Sequence, residues 1–107
     1  MNIGIILNTN DLEEAWNAFR FGVKALEKGH TASIFLFSKG VEVEAIASEK
    51  FDMAGMMRKF RENKGIIMTC GTCLKSRNKP GTALCPINTL DDLMQLVETA
   101  DKVISFG

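Results

Sequence analysis

The feature that most constrains this chain is its opening run, Ile3-Gly4-Ile5-Ile6-Leu7, five apolar residues without a polar break. A continuous run rich in β-branched residues suits a strand buried on both faces, as in a parallel sheet covered by helices. Three further strand segments follow, each spaced widely enough for a helix before it: Thr31 to Phe37, Gly65 to Thr69 and Val103 to Phe106. The element order reads β-α-β-α-β-α-β. Strands joined through helices need right-handed crossovers. That predicts a three-layer α/β/α sandwich around a mostly parallel sheet of four or five strands, flavodoxin-like in architecture.

The helical segments carry their own signals. Asn8, Thr9, Asn10 and Asp11 are N-cap candidates for a helix with Glu13 and Glu14 in its first turn. Along it Leu12, Ala15, Trp16, Phe19, Val23 and Leu26 recur at helical spacing, and Gly29 ends it. Ser38-Lys39-Gly40 reads as a turn and Val41 to Ala47 as a short helical piece, against which the alternation Val41-Glu42-Val43-Glu44 stands. Phe51 to Arg61 is the next helix, with Met53, Met56, Met57 and Phe60 on its apolar side. That stripe reads as core, but adjacent Met56 and Met57 cannot both point fully inward, which raises a subunit interface as a second reading. Asn78 to Thr82 is a turn, and Thr89 caps a last helix with Asp91 and Asp92 in its first turn.

The length of 107 residues predicts a single domain over residues 1–107. Hydrophobic residues at 46% and charged residues at 24% are those of a globular chain and exclude disorder. Thirteen basic residues balance thirteen acidic ones. No global field draws the chain to nucleic acid or an anionic membrane, and neither is expected as a direct partner. The opening run is too short to span a bilayer, lacks a basic flank and reaches Asn8 directly, so it does not read as a signal peptide. Three cysteines, two of them three positions apart, make a poor disulfide framework. Close-set thiols point to a reducing, cytoplasmic compartment and to metal or redox chemistry.

In open α/β sheets, active groups gather beyond the carboxyl ends of the strands. Here those ends carry Asn8-Thr9, Ser38-Lys39-Gly40 and Thr69-Cys70, so the segment Cys70-Gly71-Thr72-Cys73 falls where chemistry is expected. With a helix beginning around Thr72, Cys70 lies at its N-terminus, and Lys75 and Arg77 add positive charge. That setting predicts a thiol below its free pKa of about 8.5. Four readings follow. The cysteines are buried small hydrophobes, the reading that best suits the isolated Cys85. They bind metal, for which two close thiols and Cys85 fall short of four ligands while His30 sits at the other end of the sheet. They form a thioredoxin-like dithiol, although the motif comes late in the chain for that fold. Or one of them accepts a persulfide and passes the terminal sulfur on, which needs an accessible thiolate and local positive charge.

The ordered set of segments resembles the DsrE/DsrF-like family, which includes the TusD-type subunits of sulfur relays. The likeness runs over essentially the whole chain: the strand Ile3–Asn8, the helix ending in Lys28-Gly29-His30, the strand ending Phe35-Leu36-Phe37 with its Lys39-Gly40-Val41 turn, Cys70 with Arg77 seven residues on, and the tail from Thr89-Leu90 to Phe106. The resemblance implies a DsrE-like sandwich assembled into homotrimers, homohexamers or hetero-oligomers. It also implies a cysteine that carries a persulfide between a protein sulfur donor and an acceptor, a role that carries over to Cys70. The chain departs from the relay pattern by placing Cys73 where many members have a small apolar residue. Cys73 is thus a candidate resolving thiol, which would make the chain a reductase rather than a carrier.

Candidate substrate-binding residues are Arg77 and Lys75 for an anionic persulfide, and Asn8 and Ser38 as hydrogen-bond partners for sulfur, with solvated flanks and helix capping as their plainer readings. No metal and no cofactor is expected. The function expected is a sulfur-relay or thiol-redox protein, a sulfurtransferase-like carrier acting through Cys70. The alternative is a non-catalytic oligomeric subunit or binding module whose cysteines are structural or metal-binding.

Overall fold

In the computed structural model, which describes residues 1–107, the chain runs β1 (Asn2–Leu7), α1 (Leu12–Glu27), β2 (Thr31–Leu36), a 3-10 segment (Ser38–Ala45), α2 (Met53–Glu62), β3 (Ile66–Cys70), α3 (Gly71–Ser76), β4 (Ile87–Asn88), α4 (Leu90–Thr99) and β5 (Lys102–Phe106). The five strands form one sheet in the order β4-β3-β2-β1-β5, and every pairing is parallel. The expected α/β sandwich is the observed one. β4 was not among the strand segments read from the sequence: two residues are too few to show a period of two.

Side chains alternate across the sheet. Ile3, Ile5 and Leu7 of β1 are in register with Ala32, Ile34 and Leu36 of β2, and all six are buried. Their face is covered by α1 and α2, because a Cβ added at Gly22 of α1 would lie 2.6 Å from Phe60 of α2 and 3.4 Å from Ile34. Phe19 and Phe60 meet edge to face at 5.6 Å across these two helices. The other face carries α4, with a Cβ at Gly4 meeting Leu96 at 2.5 Å and Ala100 at 3.3 Å. Ile66 and Val103 lie on this face, in register with Ser33 and Gly4, and stay exposed. Met53 and Met57 join the buried cluster and Met56 packs against its rim, so the methionine stripe is core.

Caps decide the element ends. Of the four candidates before α1, Asp11 is the N-cap, its carboxylate accepting the Glu14 N–H at 2.9 Å. Asn8 is not a cap; its N–H donates to the Phe106 carbonyl at 2.9 Å and extends β1 toward β5. Thr89 and Asp92 form a capping box at α4, as the Thr-x-x-Asp pattern suggests. The 3-10 segment begins at Ser38 rather than Val41, because Gly40 closes onto Phe37 through an N–H to carbonyl bond of 2.9 Å. A Cβ at Gly40 would lie 2.0 Å from the Leu7 carbonyl oxygen, so only glycine lets this turn sit on the end of β1. No helix is long and apolar enough to cross a membrane.

Candidate functional site

The loops after β1, β2 and β3 converge at one end of the sheet, and the thiols lie among them. Cys70 is both the last residue of β3 and the N-cap of α3, its Sγ accepting the Cys73 N–H at 3.2 Å. The two cysteines are thus one turn apart on the same short helix. They differ in depth: Cys70 is 4% exposed and packed in the core, whereas Cys73 is half-buried at its edge. All three cysteines are free thiols.

Burial reverses the expectation for Cys70. Its thiol is pushed above the ordinary value, first by loss of solvent and then by the neighbouring Cys73 thiol, and the backbone N–H groups of Cys73 and Thr72 only partly oppose this. The positive charges invoked from the sequence are elsewhere. Arg77 donates Nε–H to Glu42 at 2.7 Å and Nη1–H to the Cys73 carbonyl at 3.1 Å. Its charge is matched by a carboxylate, and it holds the backbone of Cys73 rather than a sulfur. Lys75 is exposed and lines a cleft with Thr72, Asn78, Lys79 and the start of α4, to which neither cysteine contributes.

Ser38 does reach the site, but through its backbone: its N–H donates to Cys73 Sγ at 3.3 Å. It sits at φ 53°, in the left-handed region that a serine adopts only when its surroundings hold it there. Asn8 makes no hydrogen bond to the thiols; its neighbour Asn10 instead donates to Glu42 at 3.2 Å. Arg77 and Asn10 together hold the Glu42 carboxyl below the usual carboxylate range. Asn10, Glu42 and Arg77 therefore tie together the segments that follow β1, β2 and β3. Sequence reasoning passed over Glu42 and Asn10. The signal was the Val41-Glu42-Val43-Glu44 alternation, since Val41 and Val43 are buried and the two carboxylates face away from the core.

Glu44 serves a different cysteine. It accepts the Thr82 hydroxyl at 2.7 Å, and that hydroxyl in turn accepts the Cys85 N–H at 3.0 Å. Cys85 is 5% exposed, and burial, with Glu44 adding negative charge, pushes its thiol up to about 12. The ligands of the metal reading do not converge. No three His, Cys, Asp or Glu side chains are placed to hold an ion, and His30 meets the N-terminal amine at 2.9 Å beside the start of β1.

A family model described as DsrE/DsrF-like matches residues 1–106. An uncharacterized protein of Methanocaldococcus jannaschii, MJ0989, is 31% identical over 100 residues, 88% of each chain. Among solved structures, the ychN protein from E. coli superposes with a TM-score of 0.83 at 23% identity, covering 99% of this chain and 100% of that one. A conserved protein of unknown function from Bacteroides thetaiotaomicron, BT1422, gives a TM-score of 0.73 at 10% identity, covering 97% and 93%.

Proposed function

Because the chain belongs to the DsrE/DsrF-like family, we propose that it is a sulfur-relay or thiol-redox protein whose working group is the Cys70–Cys73 pair, with Cys70 carrying the persulfide. The observation that carries this reading is the placement of two free thiols one turn apart, bridged by the Cys73 N–H, at the carboxyl end of β3. The sulfur would come from a protein donor and pass to a protein acceptor, in a single DsrE-like domain working in the cytoplasm, where thiols stay reduced. The family likeness suggests a homotrimer, a homohexamer or a hetero-oligomer. An apolar stripe of Leu90, Met94 and Val97 along α4, 63%, 58% and 43% exposed, supports such assembly.

The test is intact-mass measurement after exposure to a small-molecule persulfide. Wild type is expected to gain one sulfur atom and the Cys70→Ser/Cys73→Ser double variant none. Equal gain in both, or no gain in wild type, rejects the relay. The depth of Cys70 and Cys85 favours a second reading, a non-catalytic subunit with structural cysteines. On that reading Cys70 resists alkylation until the chain is unfolded and never takes up sulfur.

A further inference from the structure

We propose that Cys73 is the thiol that meets the incoming persulfide, and that it hands the terminal sulfur inward to Cys70. This rests on the relay reading above and assigns its two cysteines different tasks.

The geometry separates them. Cys73 is the half-buried sulfur and Cys70 the one enclosed by the core, so a donor arriving from outside meets Cys73 first. Cys73 Sγ also receives an N–H from another segment, that of Ser38, on the exposed side of the site. Such a bond strengthens when Sγ is a thiolate, the form that attacks a donor. The donor is fixed in place before any sulfur arrives. Phe37 donates its N–H to the Leu7 carbonyl at 2.9 Å, and Gly40 closes the turn against the same carbonyl. Arg77 fixes the acceptor side through the Cys73 carbonyl. Two independent contacts thus converge on Cys73, whereas Cys70 Sγ accepts the N–H of Cys73 itself.

The chemistry balances without an added oxidant or reductant. The Cys73 thiolate attacks the terminal sulfur of the donor persulfide. A Cys73 Sγ–S bond forms, the donor S–S bond breaks, and the donor leaves as a thiolate that takes up a proton. Cys70, as thiolate, then attacks the same terminal sulfur. The Cys70 Sγ–S bond forms, the Cys73 Sγ–S bond breaks, and Cys73 departs with the electron pair and regains a proton. The transferred sulfur keeps its oxidation state in both steps. Burial pushes Cys70 above the ordinary thiol value and makes it a poor leaving group, which favours storage there over loss to water.

Single variants and wild-type alkylation test this separately from the relay itself. With a small-molecule persulfide, Cys70→Ser is expected to take up one sulfur and to strand it on Cys73, located by peptide mapping, with no onward transfer. Cys73→Ser is expected to load about tenfold more slowly. Loading of Cys73→Ser at the wild-type rate overturns the proposal, as does loss of loading in Cys70→Ser. Should wild type take up no sulfur, the relay reading fails, but the order of thiols is still read by iodoacetamide on the unaltered protein. There Cys73 is expected to react about tenfold faster than Cys70, and an equal or reversed order overturns the assignment.

Discussion

The backbone N–H of Ser38 points at the sulfur of Cys73 from 3.3 Å, across 35 positions of sequence. This contact joins the end of β2 to α3, and it exists because Ser38 is held at φ 53°. The left-handed region costs an L-residue about 1–2 kcal/mol and glycine almost nothing. Ser38→Gly keeps the N–H and is expected to raise stability by about 0.5–1 kcal/mol, after the extra freedom of glycine in the unfolded chain is set against it. Ser38→Val, β-branched at a positive φ, is expected to lower it by about 1–2 kcal/mol. Urea midpoints check both, and a Gly variant no more stable than wild type would show the site to be unstrained.

The Glu42 carboxylate gives the site a pH dependence. A carboxyl held low by Arg77 and Asn10 stabilises the fold above its unfolded pKa of about 4.3 and loses that contribution as pH falls through the lower folded value. Glu42→Gln is therefore expected to melt below wild type at neutral pH. The two melting curves should converge only as pH falls through that lowered folded value, beneath the ordinary carboxylate range, where Glu42 takes up its proton. An offset that stays constant into strong acid would rule out the Arg77–Glu42 pair as its source.

Cys85 acts at the other end of the scale. Its thiol, pushed up to about 12, stays protonated in the folded state while the unfolded chain ionises from about pH 8.5. The folded state then binds more protons, so its stability falls with rising pH by up to about 1.4 kcal/mol per pH unit over that window. Cys85→Ala removes this slope. The stability gap between wild type and variant, from urea midpoints at about pH 8 and about pH 10, is expected to narrow as pH rises. A gap that does not change would mean that Cys85 ionises equally in both states.

Much of the fold could be read from local pattern. The Ile3–Leu7 run, the Leu12–Leu26 periodicity and the Thr89 cap each report on a few neighbouring residues, and each element formed within two residues of its expected limits at those places. The methionine stripe was legible too, with its buried members at Met53 and Met57. β4 escaped because its two residues pair only through the end of β3 and carry no period of their own. The candidate site was legible in one respect, the position of Cys70 at the carboxyl end of β3. The surroundings of Arg77 and Lys75 were not legible, because nearness in sequence says nothing of what a long side chain meets. Arg77 turns to Glu42, and Lys75 faces a cleft that the thiols do not line.

By itself, the sequence determined the order of strands and helices and the one-turn spacing of Cys70 and Cys73, since both follow from contacts within a turn or a strand. Tertiary structure decided which sulfur is buried, which residue answers the charge of Arg77, and that the donor to Cys73 is a backbone N–H of Ser38. Those outcomes depend on desolvation and on partners 35 residues away, which exist only once the three loops have been brought together by the sheet.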